Sequence, residues 1–250
     1  MVKIDQDIVS IADILDALET MLAASDNLRF TNRLRTLVLV DLFLSDPSLP
    51  KLEDAREFAV FDILTTIIRE NYQRTRQIFG LTPVLQTASW VEAKQAITQE
   101  TQKNSTDLLS WSCLYYCYIR VDLNISAVSF GEVVGIVERS VRRYRRKGLF
   151  RLYHALVSQE WEIRARQRVR RLRLQLPNIA PSLLLCREGG FEKIQKLLAE
   201  DFAFKLFISG AAGIGKSALV EAYIRAYIEG ELPEAPQIDV LIWVDSPKGA

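Results

Sequence analysis

The sequence predicts a mainly α-helical N-terminal module with a helix-turn-helix-like end, followed by the start of an α/β domain. Three observations predict it. Apolar residues between positions 8 and 76 recur at spacings of three and four, which lays one stripe along a helix. Pro177 and Pro181 then interrupt the helical pattern, because proline cannot continue a regular helix. Beyond them an apolar run at 204–209, a glycine-rich stretch at 210–215 and an amphipathic segment at 216–228 follow in order, the pattern of strand, loop and helix.

Composition bounds the reading. A chain of 250 residues that is 49% hydrophobic has enough apolar surface to fold, and a disordered protein is excluded. The opening MVKIDQDIVS has neither a basic stretch followed by an apolar core nor a long uncharged run, so a cytoplasmic protein with no membrane partner is expected. Cys113, Cys117 and Cys186 lack the paired spacings of a zinc site or a disulfide framework and read as reduced, buried thiols. His154 is the single histidine, which leaves little scope for a histidine-assisted hydrolase.

The elements follow in order. Ile11, Ile14, Leu15, Leu18 and Leu22 share one helical face. Prolines at 47 and 50, and the Gly80 to Pro83 stretch, break the pattern, so at least three helices precede residue 80. Further helices are predicted at about 90–102 and 108–120. In the second of these, Trp111, Tyr115, Tyr116 and Tyr118 sit among Cys113 and Cys117, and they are assigned to packing rather than to base stacking. The resulting division is a helical module at 1–105, a basic helix-turn-helix-like region at 106–175, a linker at 176–184 and a partial domain at 185–250.

Charge is segregated. Residues 139–173 hold thirteen Lys or Arg against two acids, a net +11, so the remainder of this +1 chain carries −10. Such asymmetry marks a nucleic-acid face or a basic linker. The stretch 129–144, SFGEVVGIVERSVRRY, resembles a helix-turn-helix of the sigma-factor or response-regulator kind. Gly131 would let two helices cross, Gly135 would permit the turn, and Ile136 and Val141 would fill the small core. Arg139, Arg142, Arg143 and Arg146 would then line the exposed face of the second helix and meet DNA phosphates and guanine edges. Val137 stands where a capping Ser or Thr is usual, a loss of about 1 kcal/mol. The competing reading is a solvated basic helix within a bundle, with a protein-interaction role.

The most specific signal is GAAGIGKS at 210–217, which satisfies the phosphate-loop pattern G-x-x-x-x-G-K-[ST] in full. Random sequence of this length matches it in about one chain in a hundred. Gly210, Gly213 and Gly215 allow the backbone to approach phosphates without a Cβ in the way. The amides of Ala211, Ala212, Ile214 and Ala218 would complete a cradle at a helix start, where the dipole favours an anion. Lys216 would reach the β and γ phosphates, and Ser217 would offer its hydroxyl to magnesium. The cofactors so indicated are ATP or ADP with Mg2+. The guanine-reading motif N-K-x-D does not occur in the chain.

LFISGAAGIGKSALV, preceded by Arg187-Glu188 and followed by IDVLIWVDSPK, resembles the opening of a STAND-class P-loop NTPase of the NB-ARC or AAA-like kind. The likeness covers about sixty-five residues. It implies the start of an α/β P-loop NTPase domain, truncated here, whose nucleotide state switches a larger protein between closed and assembled forms. Family members continue with an acidic strand, a sensor arginine and a helical lid. None of these occurs before Ala250, so the resemblance implies a fragment and leaves hydrolysis without its usual elements; Asp245 is read only as a strand-terminal residue near the site. Three functions are compared: a nucleotide-dependent signalling switch with DNA binding or self-association as output, a helix-turn-helix transcriptional regulator, and an AAA-class ATPase fragment.

Overall fold

The computed structural model describes residues 8–23, 29–47, 54–176, 188–198, 206–211, 213–232 and 235–244, and every regular element among them is a helix. The chain divides into two units, Met1–Ile163 and Arg164–Ala250. The first holds α1 (Ile11–Leu22), α2 (Asn32–Arg35), α3 (Val38–Leu44), α4 (Ala55–Ile78), α5 (Trp90–Gln102), α6 (Thr106–Leu114) and α7 (Ala127–Val134). A π-turn over Tyr115–Ile119 and a 3-10 turn over Val121–Leu123 link α6 to α7. Helix α8 (Glu138–Gln175) spans the division, and the second unit adds α9 (Glu188–Leu198) and α10 (Lys216–Glu229).

Serines decide where several helices begin. Ser10 Oγ accepts from the Asp13 amide at 3.1 Å while the Asp13 carboxylate accepts from the Ser10 amide at 2.8 Å, and Ser89 and Glu92 repeat this reciprocal arrangement at α5. Each pair satisfies two amides that the helix cannot. Helix α3 has no side-chain cap of its own. Its first amides, Val38 and Leu39, instead donate to the two carboxylate oxygens of Glu160 on α8, at 2.9 and 3.0 Å. Glu160 is fully buried. Glu160→Ala is therefore expected to destabilise the first unit by about 2 kcal/mol, the scale of a charge-assisted bond to orphaned amides; a urea midpoint within error of wild type would refute the role.

The core of the first unit gathers on α4, whose Val60, Leu64, Ile67, Ile68 and Tyr72 are buried at helical spacing. The helix expected over 108–120 is α-helical only to Leu114, after which the π-turn follows. Arg120 N donates to Tyr115 O at 3.0 Å, a bond across five residues. The extra residue in this turn rotates the chain enough to bury both Tyr115 and Tyr116. Tyr115 stacks on Tyr72 at 4.4 Å between centroids, and Tyr116 meets both rings edge-on.

Burial raises the hydroxyl pKa of Tyr72, Tyr115, Tyr116 and Tyr118 above the ordinary value of 10.0. The folded state therefore holds these protons after the unfolded chain has released them, so stability is complete below pH 10 and falls as pH rises above it. Urea unfolding at pH 8 and pH 11 checks this. Equal midpoints at the two values would contradict it.

The second unit corrects the expected fold. No strand or sheet occurs among the described residues, so the predicted α/β opening at 185–250 is overturned. The apolar stretches at 206–208 and 238–244 form no ladder. Leu206, Ile208, Ile238 and Leu241 pack instead against a cluster of Leu172, Ile194, Tyr223, Ile224 and Ile228. A short apolar run specifies burial, whereas a strand also needs a hydrogen-bonding neighbour. The linker prolines, Arg187, Ala212 and Asp245 lie outside the described residues.

Candidate nucleotide loop and basic helix-turn-helix

The loop at 210–217 leads directly into α10, whose first residue is Lys216. Gly213 and Gly215 hold φ of +78° and +85°, a left-handed conformation that costs other residues about 1–2 kcal/mol. Gly215 is the residue before the helix and brings no side-chain cap to it. Helix α10 is anchored from the other side. Tyr223, Ile224 and Ile228 are buried, Phe191 of α9 meets Tyr223 edge-on at 5.7 Å, and the Ile238 amide donates to Tyr227 Oη at 3.0 Å.

Lys216 does not extend into solvent. Its Nζ turns back over the loop and donates to the carbonyls of Gly210 and Ala211 at 2.9 and 2.8 Å. The ammonium thus sits over the same backbone whose amides would face a phosphate. Ser217 is exposed beside it, Ile214 is exposed on the loop, Ala218 is half-buried, and Gly210, Ala211 and Gly213 are exposed. This arrangement suits a polyphosphate: glycine backbone in the left-handed region, a helix N-terminus, one cation able to leave weak carbonyl partners for a stronger anion, and a hydroxyl at the first turn.

A three-residue turn, 135–137, joins α7 to α8. Gly135 ends α7 at φ +73°, and the Ile136 amide donates to Gly131 O at 2.9 Å. A Cβ on Gly131 would lie 3.0 Å from Val141 Cγ2 and 3.1 Å from Ile136 O, so the two helices pass closely there and a larger residue would require its neighbours to give way. Val141, Phe130 and Val134 are buried beneath the crossing, with Ile136 packed against them. Val137 is 71% exposed, as a capping position would be.

Arg139, Arg142, Arg143 and Arg146 are all exposed on the first turns of α8. Arg142 pairs with Glu138 at 2.7 Å, and the Arg143 guanidinium lies over the Tyr144 ring at 5.5 Å. Arg143 and Arg146 also enter a cleft that sequence reasoning missed. It has a volume of 1080 Å³ and is walled by Trp111, Phe150 and His154 together with Lys147 and Arg151. The spacing 143, 147, 150, 154 was a visible signal of one helical face, but what that face opposes depends on α1, α4 and α6.

Among the described residues no helix is long and apolar enough to cross a membrane. Comparison with protein families, with curated proteins and with solved structures finds no match.

Proposed function

We propose that this chain binds an adenine nucleotide with magnesium through residues 210–217 and works as a nucleotide-dependent regulatory switch of the STAND type. The observation that supports the reading is the loop itself: a complete phosphate-loop pattern, two glycines in left-handed backbone, a helix starting at Lys216, and the Lys216 ammonium folded over the loop carbonyls. On binding, Lys216 exchanges those neutral acceptors for phosphate oxygens, which gives a shorter and stronger charge-assisted bond. The amides at the start of α10 would orient the phosphates, and Ser217 Oγ would help hold the cation. Magnesium supplies charge neutralisation between neighbouring phosphates.

Titration of the chain with labelled ATP, ADP and GTP, with and without magnesium, tests this. ATP and ADP are expected to bind, with ATP weakened when magnesium is chelated. Absence of binding by all three nucleotides would end the reading.

A second reading rests on a different observation, the close α7–α8 crossing at Gly131 with four exposed arginines on the following turns. On this reading the output of the switch is duplex DNA binding, with the start of α8 in the major groove. The affinity should fall steeply with salt, and Arg142→Ala with Arg143→Ala should weaken it about tenfold or more on any duplex sequence. A gel shift series from 50 to 200 mM salt checks both. Binding indifferent to salt, or to the double substitution, would leave the arginines as a solvated face.

A further inference from the structure

We infer that the cleft between α8 and the α1, α4 and α6 helices is a second ligand site, one that takes a small phosphorylated molecule with a planar ring. Its lining divides into two chemistries. Arg143, Arg146, Lys147 and Arg151 bring four cations from one face of α8, and none of the residues that form the cleft is acidic. Phe150, His154 and Trp111 supply rings on the same walls.

Phe150 is 53% exposed within this concave, cationic setting, and His154 lies nearly perpendicular to it at 4.3 Å between ring centroids, so the exposed part of the Phe150 ring is open to a flat partner. Trp111 is nearly buried and forms a firm floor. Two acids of α8 are engaged elsewhere: Glu138 by Arg142 and Glu160 by the amides of α3. The acid that does approach, Asp107, pairs with Arg151 at the rim and fixes that guanidinium beside the opening.

Volume and chemistry together select the ligand. A cleft of 1080 Å³ is at the upper end of small-molecule sites, which combine apolar walls with a few polar anchors. Arginines arranged along one helix suit the oxygens of a phosphate. Exposed rings next to them suit a heterocycle, by stacking and by the cation–π attraction that already places Arg143 over Tyr144. A nucleotide-sized aromatic phosphate satisfies both halves at once. A bare anion would leave the rings wet, and a neutral aromatic would leave Arg146 and Lys147 without an anion.

The site is separate from the 210–217 loop, and its test is made independent of that loop. The probe is 1-naphthyl phosphate, titrated into the full chain and into Lys216→Ala, with inorganic phosphate and 1-naphthol as half-ligands. The expected result is saturable binding, equal in both chains, and at least tenfold tighter than either half-ligand. Arg146→Ala with Lys147→Ala should weaken it tenfold or more, and so should Phe150→Leu, which keeps apolar area but removes the ring. All three side chains are exposed, so thermal melting should leave these variants folded, and Arg74→Ala, exposed on α4, should bind as wild type. The proposal is overturned by no saturable binding, by inorganic phosphate binding as well as the probe, by binding that survives both sets of substitutions, or by a single-stranded oligonucleotide whose affinity rises with length beyond that of its mononucleotide. Loss of naphthyl phosphate binding in Lys216→Ala would also overturn it, by placing the ligand in the loop instead.

Discussion

Glu100→Ala is expected to lower the stability of the helical unit by about 3–5 kcal/mol, the range for removing one partner of a buried ion pair. Glu100 and Arg76 are 0% and 1% exposed, and the Arg76 guanidinium donates to Glu100 Oε1. The same carboxylate oxygen accepts from Tyr72 Oη at 2.6 Å, and the Tyr72 and Tyr116 hydroxyls lie 3.1 Å apart. Arg76 Nε is held by Thr82 O at 2.9 Å in the turn after α4.

Deleting the carboxylate leaves a guanidinium deep in the core with its charge uncompensated, and that penalty exceeds the lost bonds themselves. Replacing both residues removes the stranded charge. Arg76→Met with Glu100→Leu is therefore expected to recover most of the stability lost in Glu100→Ala. Urea unfolding of the two variants beside wild type measures this. The buried pair loses its assigned importance if Glu100→Ala costs less than about 1 kcal/mol, or if the double variant is no better than the single one.

Lys216→Ala should weaken ATP binding about a hundredfold while leaving the thermal midpoint of the chain unchanged. Loss of a charge-assisted bond to phosphate is worth about 2–3 kcal/mol, and each 1.4 kcal/mol is tenfold in affinity. The folded state loses only two exposed bonds from Nζ to loop carbonyls, which contribute little to stability in water. Calorimetric titration beside a melting curve separates the two effects. An unchanged ATP affinity would remove Lys216 from the site, and a large fall in the melting midpoint would make it a structural residue instead.

Much of the helical unit could be read from residue spacing. The 3.6-residue period marks α5 as Trp90–Gln102, because amphipathicity is a local property. The turn glycines Gly131 and Gly135 were legible for the same reason: a left-handed residue and a close crossing both leave a glycine in the sequence. The π-turn at Tyr115–Ile119 was not, since it answers to rings contributed by α4.

Strand pairing was misjudged. The runs at 204–209 and 240–245 carry the apolar content of buried strands, but a ladder is a property of two segments, and none forms among the described residues. The basic face shows a similar limit. Four arginines at helical spacing on α8 are plain in the sequence, yet only the opposing helices turn Arg143 and Arg146 toward a cleft floored by Trp111.

The sequence by itself determined the local chemistry of this protein: which residues cap helices, where glycine must sit, and the complete GAAGIGKS loop before an amphipathic helix. Tertiary structure alone decided which distant groups meet. Glu160 reaching the amides of α3, Glu100 meeting Arg76 and Tyr72, and the cationic, aromatic cleft of α8 each join positions far apart in the chain. Periodicity records which face of an element is buried; what that face touches is set by how the helices pack.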